Sequence, residues 1–105
     1  MLKGNAKDIS LPKNIKIKYV LKRNGRKERF SSEKLFKSIQ KSMKDTDGYD
    51  SKMCRKITVE IIRHLEKKYK GKVIDTFRIR EAATYYLTKK KLKGIAKFYI
   101  LHRYL

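Results

Sequence analysis

The chain has 105 residues, of which 30 are Lys or Arg and only 10 are Asp or Glu, so its formal net charge is +20. This length is enough for one domain with one core, and the single cysteine, Cys54, excludes an internal disulfide and a zinc site built from cysteines. The longest apolar run, 98–101, is too short for a membrane span or a signal-peptide core. We therefore predict a soluble cytoplasmic protein with no membrane contact.

The excess of cations predicts a polyanionic partner such as nucleic acid or a nucleotide, because a strongly charged surface repels itself and attracts opposite charge. The alternative is a lysine-rich surface of the kind found in thermophiles. Such surfaces usually balance Lys with Glu, and this sequence does not. The composition therefore favours a real polyanion partner.

The first part of the chain divides into a lead-in and a strand. Residues 1–14 show no hydrophobic period and predict a flexible basic segment, so the domain itself is expected over 15–105. Apolar and polar residues then alternate from Ile15 to Lys22, which predicts a half-buried strand. Its inward face would carry Ile15, Ile17, Tyr19 and Leu21, and its other face Lys16, Lys18, Val20 and Lys22.

An Asn-Gly pair at 24–25 separates this strand from a return strand at about 26–30 and predicts a hairpin. A two-residue turn would place Lys22 opposite Lys27, where like charges destabilise the strand pair. A type I turn followed by a bulge would instead bring Glu28 to the face of Lys22. Both registers are compatible with the local sequence.

Four helices and a short strand are predicted after the hairpin. The helices run from about 31 to 47, from about 50 to 71, from 76 to 94 and from 95 to 104, and the strand lies at 73–74. The expected caps are Ser31 or Ser32, then Asp50 or Ser51, and then Thr76. The expected core positions are Leu35, Ile39 and Met43, then Met53, Ile57, Ile61 and Leu65, and then Ile79, Ala82, Ala83, Tyr86 and Leu87. This order predicts an α+β fold in which a small four-helix bundle is covered by a three-stranded sheet.

The run from Val20 to Leu35 resembles the signature of the ATP-cone, the nucleotide-sensing domain of many ribonucleotide reductases and of the ribonucleotide reductase repressor. The matching residues are Val20, Lys22, Arg23, Asn24, Gly25, Glu28, Phe30, Ser31, Lys34 and Leu35. Later residues that agree with the family are Thr76, Glu81, Lys97, Phe98 and Arg103. The resemblance covers about residues 17–104 and favours the bulged hairpin.

The resemblance implies a site for ATP or dATP, with or without Mg²⁺. In this site Lys22, Arg23 and Lys34 would bind phosphates, Val20 would pack against the base, and Glu28 and Thr76 would hold the ribose or base. Arg80 lies one turn after Thr76 and would face the same way. Each residue also has an ordinary explanation: the lysines as solvated side chains, Thr76 as a helix cap and Val20 as a strand residue.

A second cationic region follows the third helix. Lys89, Lys90, Lys91 and Lys93 form a run that could bind nucleic-acid phosphates or could be a solvated helix end. His64 and His102 have no partner at metal-ligand spacing, so no metal site is predicted. No motif for a nucleophile or an acid–base pair is present, so we predict that the chain is not an enzyme.

Two functions remain open. Because the sequence ends within a residue or two of the expected fold, the first is a free-standing nucleotide sensor that changes its homo-oligomeric assembly with ATP or dATP. It would act in trans on an enzyme or a repressor, in association with nucleic acid and as a transcriptional regulator. The second is a small basic, chromatin-like DNA- or RNA-binding protein that reuses the fold without nucleotide sensing.

Overall fold

A computed structural model describes residues 11, 12, 14–45 and 50–90. Its elements are β1 (Tyr19–Leu21), β2 (Lys27–Arg29), α1 (Ser32–Lys44), α2 (Ser51–Lys68), β3 (Val73–Asp75) and α3 (Thr76–Lys89). The predicted α+β class and three-stranded sheet are confirmed. The described part contains three helices rather than four, because the predicted helix at 95–104 lies outside it, as do most of the N-terminal segment and residues 47–48.

The sheet is mixed, with strand order β2-β1-β3. β1 pairs with β2 in antiparallel fashion and with β3 in parallel fashion. A parallel pair needs a long crossover connection, which α1 and α2 provide. Val20 of β1 and Ile74 of β3 join the buried residues of the three helices in one hydrophobic core, so the sheet covers the helices on its inner side. In the described ranges, none of the helices combines the length and the apolar character that a membrane crossing requires.

The inward face predicted for the first strand is wrong after Ile17. Ile15 and Ile17 are buried as expected, but the next buried residue is Val20, which has no exposed surface. Tyr19 and Leu21 are each 40% exposed. The predicted strand is also shorter than the alternation suggested, since only Tyr19–Leu21 has strand geometry.

A shared carbonyl explains this change of phase. The amides of Lys18 and Tyr19 both donate to the carbonyl of Lys72, at 2.8 and 3.0 Å. Two successive residues therefore oppose one residue of the neighbouring chain, as in a bulge, and the alternation shifts by one position. The outer face of the sheet consequently carries Tyr19 and Leu21.

The hairpin adopts the bulged register. The Lys22 amide donates to the Arg26 carbonyl at 2.7 Å, and the Lys22 carbonyl accepts from the Gly25 amide at 2.9 Å. Gly25 has φ +88°, which glycine adopts without steric cost. The two-residue turn that would place Lys22 opposite Lys27 is wrong, and Glu28 lies on the Lys22 face as the bulge predicted.

The starts of the first two helices agree with the sequence. The Ser31 side chain accepts from the Lys34 amide and caps α1, and the Asp50 side chain accepts from the Met53 amide and caps α2, each at 3.1 Å. Six predicted core positions of these helices are buried: Leu35, Ile39, Met43, Ile57, Ile61 and Leu65. Met53 is the exception at 37% exposed, because Cys54 takes the inward position of that turn. Burial raises the pKa of the Cys54 thiol to about 12, so it is not a reactive cysteine.

The cap of α3 lies one residue earlier than predicted. The Asp75 side chain accepts from the Arg78 amide at 2.9 Å and is the N-cap, while Thr76 is the first helical residue. Both residue types can cap a helix, and Asp75 has the extended backbone that a cap requires. Four predicted core residues of α3 are buried, namely Ile79, Ala82, Ala83 and Leu87, whereas Tyr86 is partly buried.

This assignment predicts different effects of two neighbouring substitutions. Asp75→Ala should lower the free energy of unfolding by about 1 kcal/mol, because an unpartnered helix amide remains. Thr76→Ala should change it by less than about 0.5 kcal/mol, because alanine is a good helix former. Asp75→Asn is the matched control, since it keeps the cap and removes the charge. Urea unfolding measures all three, and a larger loss in Thr76→Ala would contradict the assignment.

Candidate functional site

Two lysines meet one carboxylate between the hairpin and α1. The Nζ atoms of Lys22 and Lys34 each lie 3.6 Å from Oε1 of Glu28. The bulged register brings Glu28 to the face of Lys22, and the first turn of α1 supplies Lys34. We call these three residues the lysine–glutamate cluster. The resemblance implied that Lys22 and Lys34 bind phosphates, and this role stays a prediction.

The cluster has an excess of positive charge. The Lys22 side chain is only 17% exposed, and burial, followed by the nearby Lys34 ammonium, holds the pKa of Lys22 below its ordinary value. Glu28 acts in the opposite direction. The three residues carry two positive charges and one negative charge, and an anion with several charged oxygens would bind both ammonium groups strongly.

The turn next to the cluster adds further cations. Arg23 and Arg26 are exposed, and the Arg26 amide donates to the side-chain oxygen of Asn24 at 3.0 Å, which fixes the shape of the turn. Arg23 follows Lys22 directly and is exposed to solvent. The predicted contact between Arg23 and a phosphate stays a prediction.

The parallel pairing of β1 with β3 brings the start of α3 to the end of the sheet at which Lys22 lies. Leu21 pairs with Asp75, so the backbones of Lys22 and Thr76 leave their strands side by side. Thr76 is half-buried at this end of the sheet. Arg80 lies one turn further along α3, and its guanidinium carbon is 5.2 Å from the centre of the Phe77 ring.

Val20 has the position of a core residue. Its side chain has no exposed surface and belongs to the hydrophobic core. A base could contact it only if neighbouring side chains moved aside. The predicted role of Val20 against a base therefore stays a prediction.

The lysines at the end of α3 differ from one another. Lys90 Nζ lies 3.2 Å from Oε1 of Glu60 and is partly screened by this pair. Lys89 is exposed, and its Nζ atom lies 5.8 Å from the centre of the Tyr85 ring. Lys91 and Lys93 lie outside the described residues. Of the predicted cationic run, Lys89 is thus the residue that the described structure presents to solvent.

His64 has an ordinary structural environment. Its Nδ1 atom lies 3.3 Å from the Tyr86 hydroxyl, and its ring stacks on Tyr85. His102 lies outside the described residues. Among the residues that the structure describes, no three His, Cys, Asp or Glu side chains are grouped as a metal site would need.

Sequence patterns missed one surface altogether. The outer face of the sheet carries Tyr19 and Leu21, which the strand pattern had placed inside. Beside this face lies a cleft lined by Tyr69 and Arg78, and neither residue belongs to a recognised motif. The sequence did contain a signal for this surface, namely tyrosines that have a Lys or Arg nearby in the chain. It was overlooked because most of the aromatic residues were assigned to the core by their spacing.

A mixed three-stranded sheet over helices, with two lysines that share one carboxylate between the hairpin and α1, defines a small α+β domain. Comparison with protein families gives the family itself: the ATP cone domain matches residues 18–105. The chain belongs to the ATP-cone family, and the resemblance seen in the sequence is confirmed. ATP-cone domains are regulatory, not catalytic, and generally bind ATP or dATP. A search of curated proteins found no significant match.

Proposed function

We propose that this chain is a regulatory protein that binds ATP or dATP at the lysine–glutamate cluster and acts in trans on an enzyme or a repressor. The observation that supports this function best is the sharing of one Glu28 oxygen by Lys22 and Lys34, each at 3.6 Å. The two lysines and Glu28 have one excess positive charge, which a triphosphate would balance through charge-assisted hydrogen bonds. Family membership gives the nucleotide class.

Nucleotide binding would rearrange the cluster. When phosphate oxygens bind Lys22 and Lys34, the Glu28 carboxylate loses its cationic partners and becomes free to accept a hydrogen bond from a ribose hydroxyl. Thr76 stands at the same end of the sheet and can contact the ribose or base, with Arg80 as a further contact from α3. A Mg²⁺ ion would be held mainly by phosphate oxygens and water, as is common for this ion.

Regulation requires that the nucleotide favours one assembly over another, because a ligand that binds two states equally shifts neither. We therefore expect the mass of the homo-oligomer in solution to differ between ATP and dATP at saturating concentrations. Light scattering measures this mass, and Lys22→Ala at the same nucleotide concentrations is the control. An unchanged mass under every nucleotide would leave the regulator without a mechanism.

Nucleic-acid association is the second part of the proposal. It is supported by the net charge of +20 and by the exposed cations of the hairpin, which include Arg23, Arg26 and Lys27. Contacts to phosphates would be tolerant of sequence and sensitive to salt. A transcriptional regulator would combine both parts. The alternative function is a basic DNA- or RNA-binding protein without nucleotide sensing. It explains the same net charge but predicts no ATP binding.

A further inference from the structure

The outer face of the sheet presents apolar and aromatic side chains between cations. Strand pairing places them in two rows, Arg29–Tyr19–Val73 and Lys27–Leu21–Asp75. Tyr19 and Leu21 are 40% exposed and Val73 is 43% exposed, whereas the intervening Val20 and Ile74 are buried. Because side chains alternate between the two faces of a strand, the two rows form one continuous surface on the side opposite to the core.

A cleft continues this surface past the edge strand β3. Its volume is about 420 Å³, and its lining includes Leu21, Val73, Tyr69, Lys70 and Arg78. A second cleft of about 370 Å³ shares Tyr69 and Arg78 with the first and extends to Tyr85 on α3. The sheet face and the two clefts form one path, which we call the outer track.

Each tyrosine of the outer track has a cation over its ring. Lys27 Nζ is 5.6 Å from the Tyr19 ring centre, and Arg78 Cζ is 4.7 Å from that of Tyr69. Lys89 Nζ is 5.8 Å from the Tyr85 ring centre. A nucleobase can stack on such a ring or on the guanidinium plane, and a displaced lysine would then lie close to the adjoining phosphate.

Acidic side chains on the outer track are few. Asp75 and Glu81 line the two clefts, and Asp75 already pairs with Arg78 at 3.5 Å. The surrounding cations include Lys68 and Lys70. A polyanion is thus the chemically matched occupant.

We propose that the outer track binds single-stranded nucleic acid, with bases stacked on the exposed rings of Tyr19 and Tyr85 and on the Arg78 guanidinium that covers the partly buried Tyr69 ring, and with phosphates held by the neighbouring cations. Exposed aromatic rings favour a single strand over a duplex, because the bases of a duplex are already stacked on each other. This inference rests on the nucleic-acid part of the proposed function and gives it a site. That site lies on the opposite face of the sheet from Lys22 and Glu28.

The test uses the full chain and fluorescence anisotropy at about 50 mM salt, with labelled oligo-dT and oligo-U of about 15 nucleotides and a duplex of the same length. We expect the single strands to bind more tightly than the duplex. The two single-stranded probes separate DNA from RNA as the preferred source of the same chemistry.

Tyrosine variants test stacking directly. Tyr19→Leu and Tyr85→Leu should each weaken single-strand binding by about 5- to 150-fold, the range expected for one stacked base, while Tyr19→Phe should bind like the parent. Phe77→Leu is the matched control, because Phe77 is 57% exposed and is not among the residues lining either cleft. Unchanged affinity in both tyrosine-to-leucine variants would overturn the proposal.

Charge variants give a second test, which can be used even if a tyrosine variant does not fold. Lys27→Gln combined with Arg29→Gln should lower the salt slope by about 1.4, at about 0.7 per phosphate contact. The same change at Lys52 and Lys56, exposed on α2, should lower it less. Equal slopes in the two double variants would contradict the outer track. Duplex binding as tight as single-strand binding, or tighter, would also contradict the proposal. So would the finding that the outer track only joins two copies of the chain in a dimer and binds no single strand.

The inference and the nucleotide site can fail separately. Lys22→Ala should weaken ATP binding about 10- to 150-fold and keep single-strand binding, since the two sites use opposite faces of the sheet. If the protein binds single-stranded nucleic acid but not ATP, the nucleotide-sensing function is wrong and the outer track stands. ATP binding without strand binding would remove the outer track and leave the sensor.

Discussion

Lys22→Ala and Lys34→Ala should each weaken ATP binding by about 1.5–3 kcal/mol, the range for hydrogen bonds to charged groups. This is about 10- to 150-fold in the dissociation constant. The reason is that each change removes one of the two ammonium groups that now share Glu28. Isothermal titration with ATP and with dATP gives the affinities.

Three comparisons make this experiment specific. Lys56→Ala, at an exposed position on α2, removes one positive charge far along the chain from the cluster and should leave affinity nearly unchanged. Glu28→Gln should bind inorganic triphosphate more tightly, because no carboxylate then competes for the lysines. Thermal unfolding should change little in the lysine variants, since partly exposed ion pairs contribute little to stability. Parent-like affinity in both lysine variants, or no affinity in the parent, would remove the site.

Duplex DNA should bind with micromolar or tighter affinity at low salt, and its affinity should fall by about 1,000-fold between about 50 and 200 mM salt if about six phosphates are contacted. Each contact releases condensed counterions, so the effect grows with the number of contacts. We expect Lys89, Lys91 and Lys93 to provide part of these contacts. Lys90→Gln should matter less than Lys89→Gln, because Lys90 already pairs with Glu60.

ATP provides the decisive control for this surface. At matched ionic strength ATP should not displace the duplex, because the lysine–glutamate cluster and the end of α3 are different places in the fold. Displacement that disappears in Lys22→Ala would show that one site serves both ligands. If no duplex binds at low salt, the net charge of +20 would have to be explained by single-strand binding on the outer track or by another anion.

Local chemistry was sufficient to predict much of the fold. Ser31 and Asp50 cap their helices, each being one of the two candidates that the sequence offered, and the Asn-Gly pair at 24–25 lies in the turn of the predicted hairpin. These features depend on residues within a few positions of each other. The cap at Asp75 could not be separated from Thr76 in this way, since both residue types cap helices.

Distant contacts explain what the sequence could not predict. The outward position of Tyr19 results from a carbonyl at Lys72, which is remote in the chain, and no local period contains that information. The pairing of Lys22 and Lys34 through Glu28 was accessible only through the bulged register and the family resemblance. The Tyr69–Arg78 stack required knowledge of where the end of α2 meets the start of α3.

The parallel pairing of β1 with β3 has a consequence for how the chain folds. Tyr19 pairs with Val73 across both intervening helices, so closing this pair carries the loop-closure entropy of a long segment and comes late relative to local contacts. Lys22 and Thr76 become neighbours only at that step. A partly folded chain with an intact hairpin therefore lacks half of the proposed nucleotide site, and a nucleotide that contacts residues after both strands would select the fully folded state.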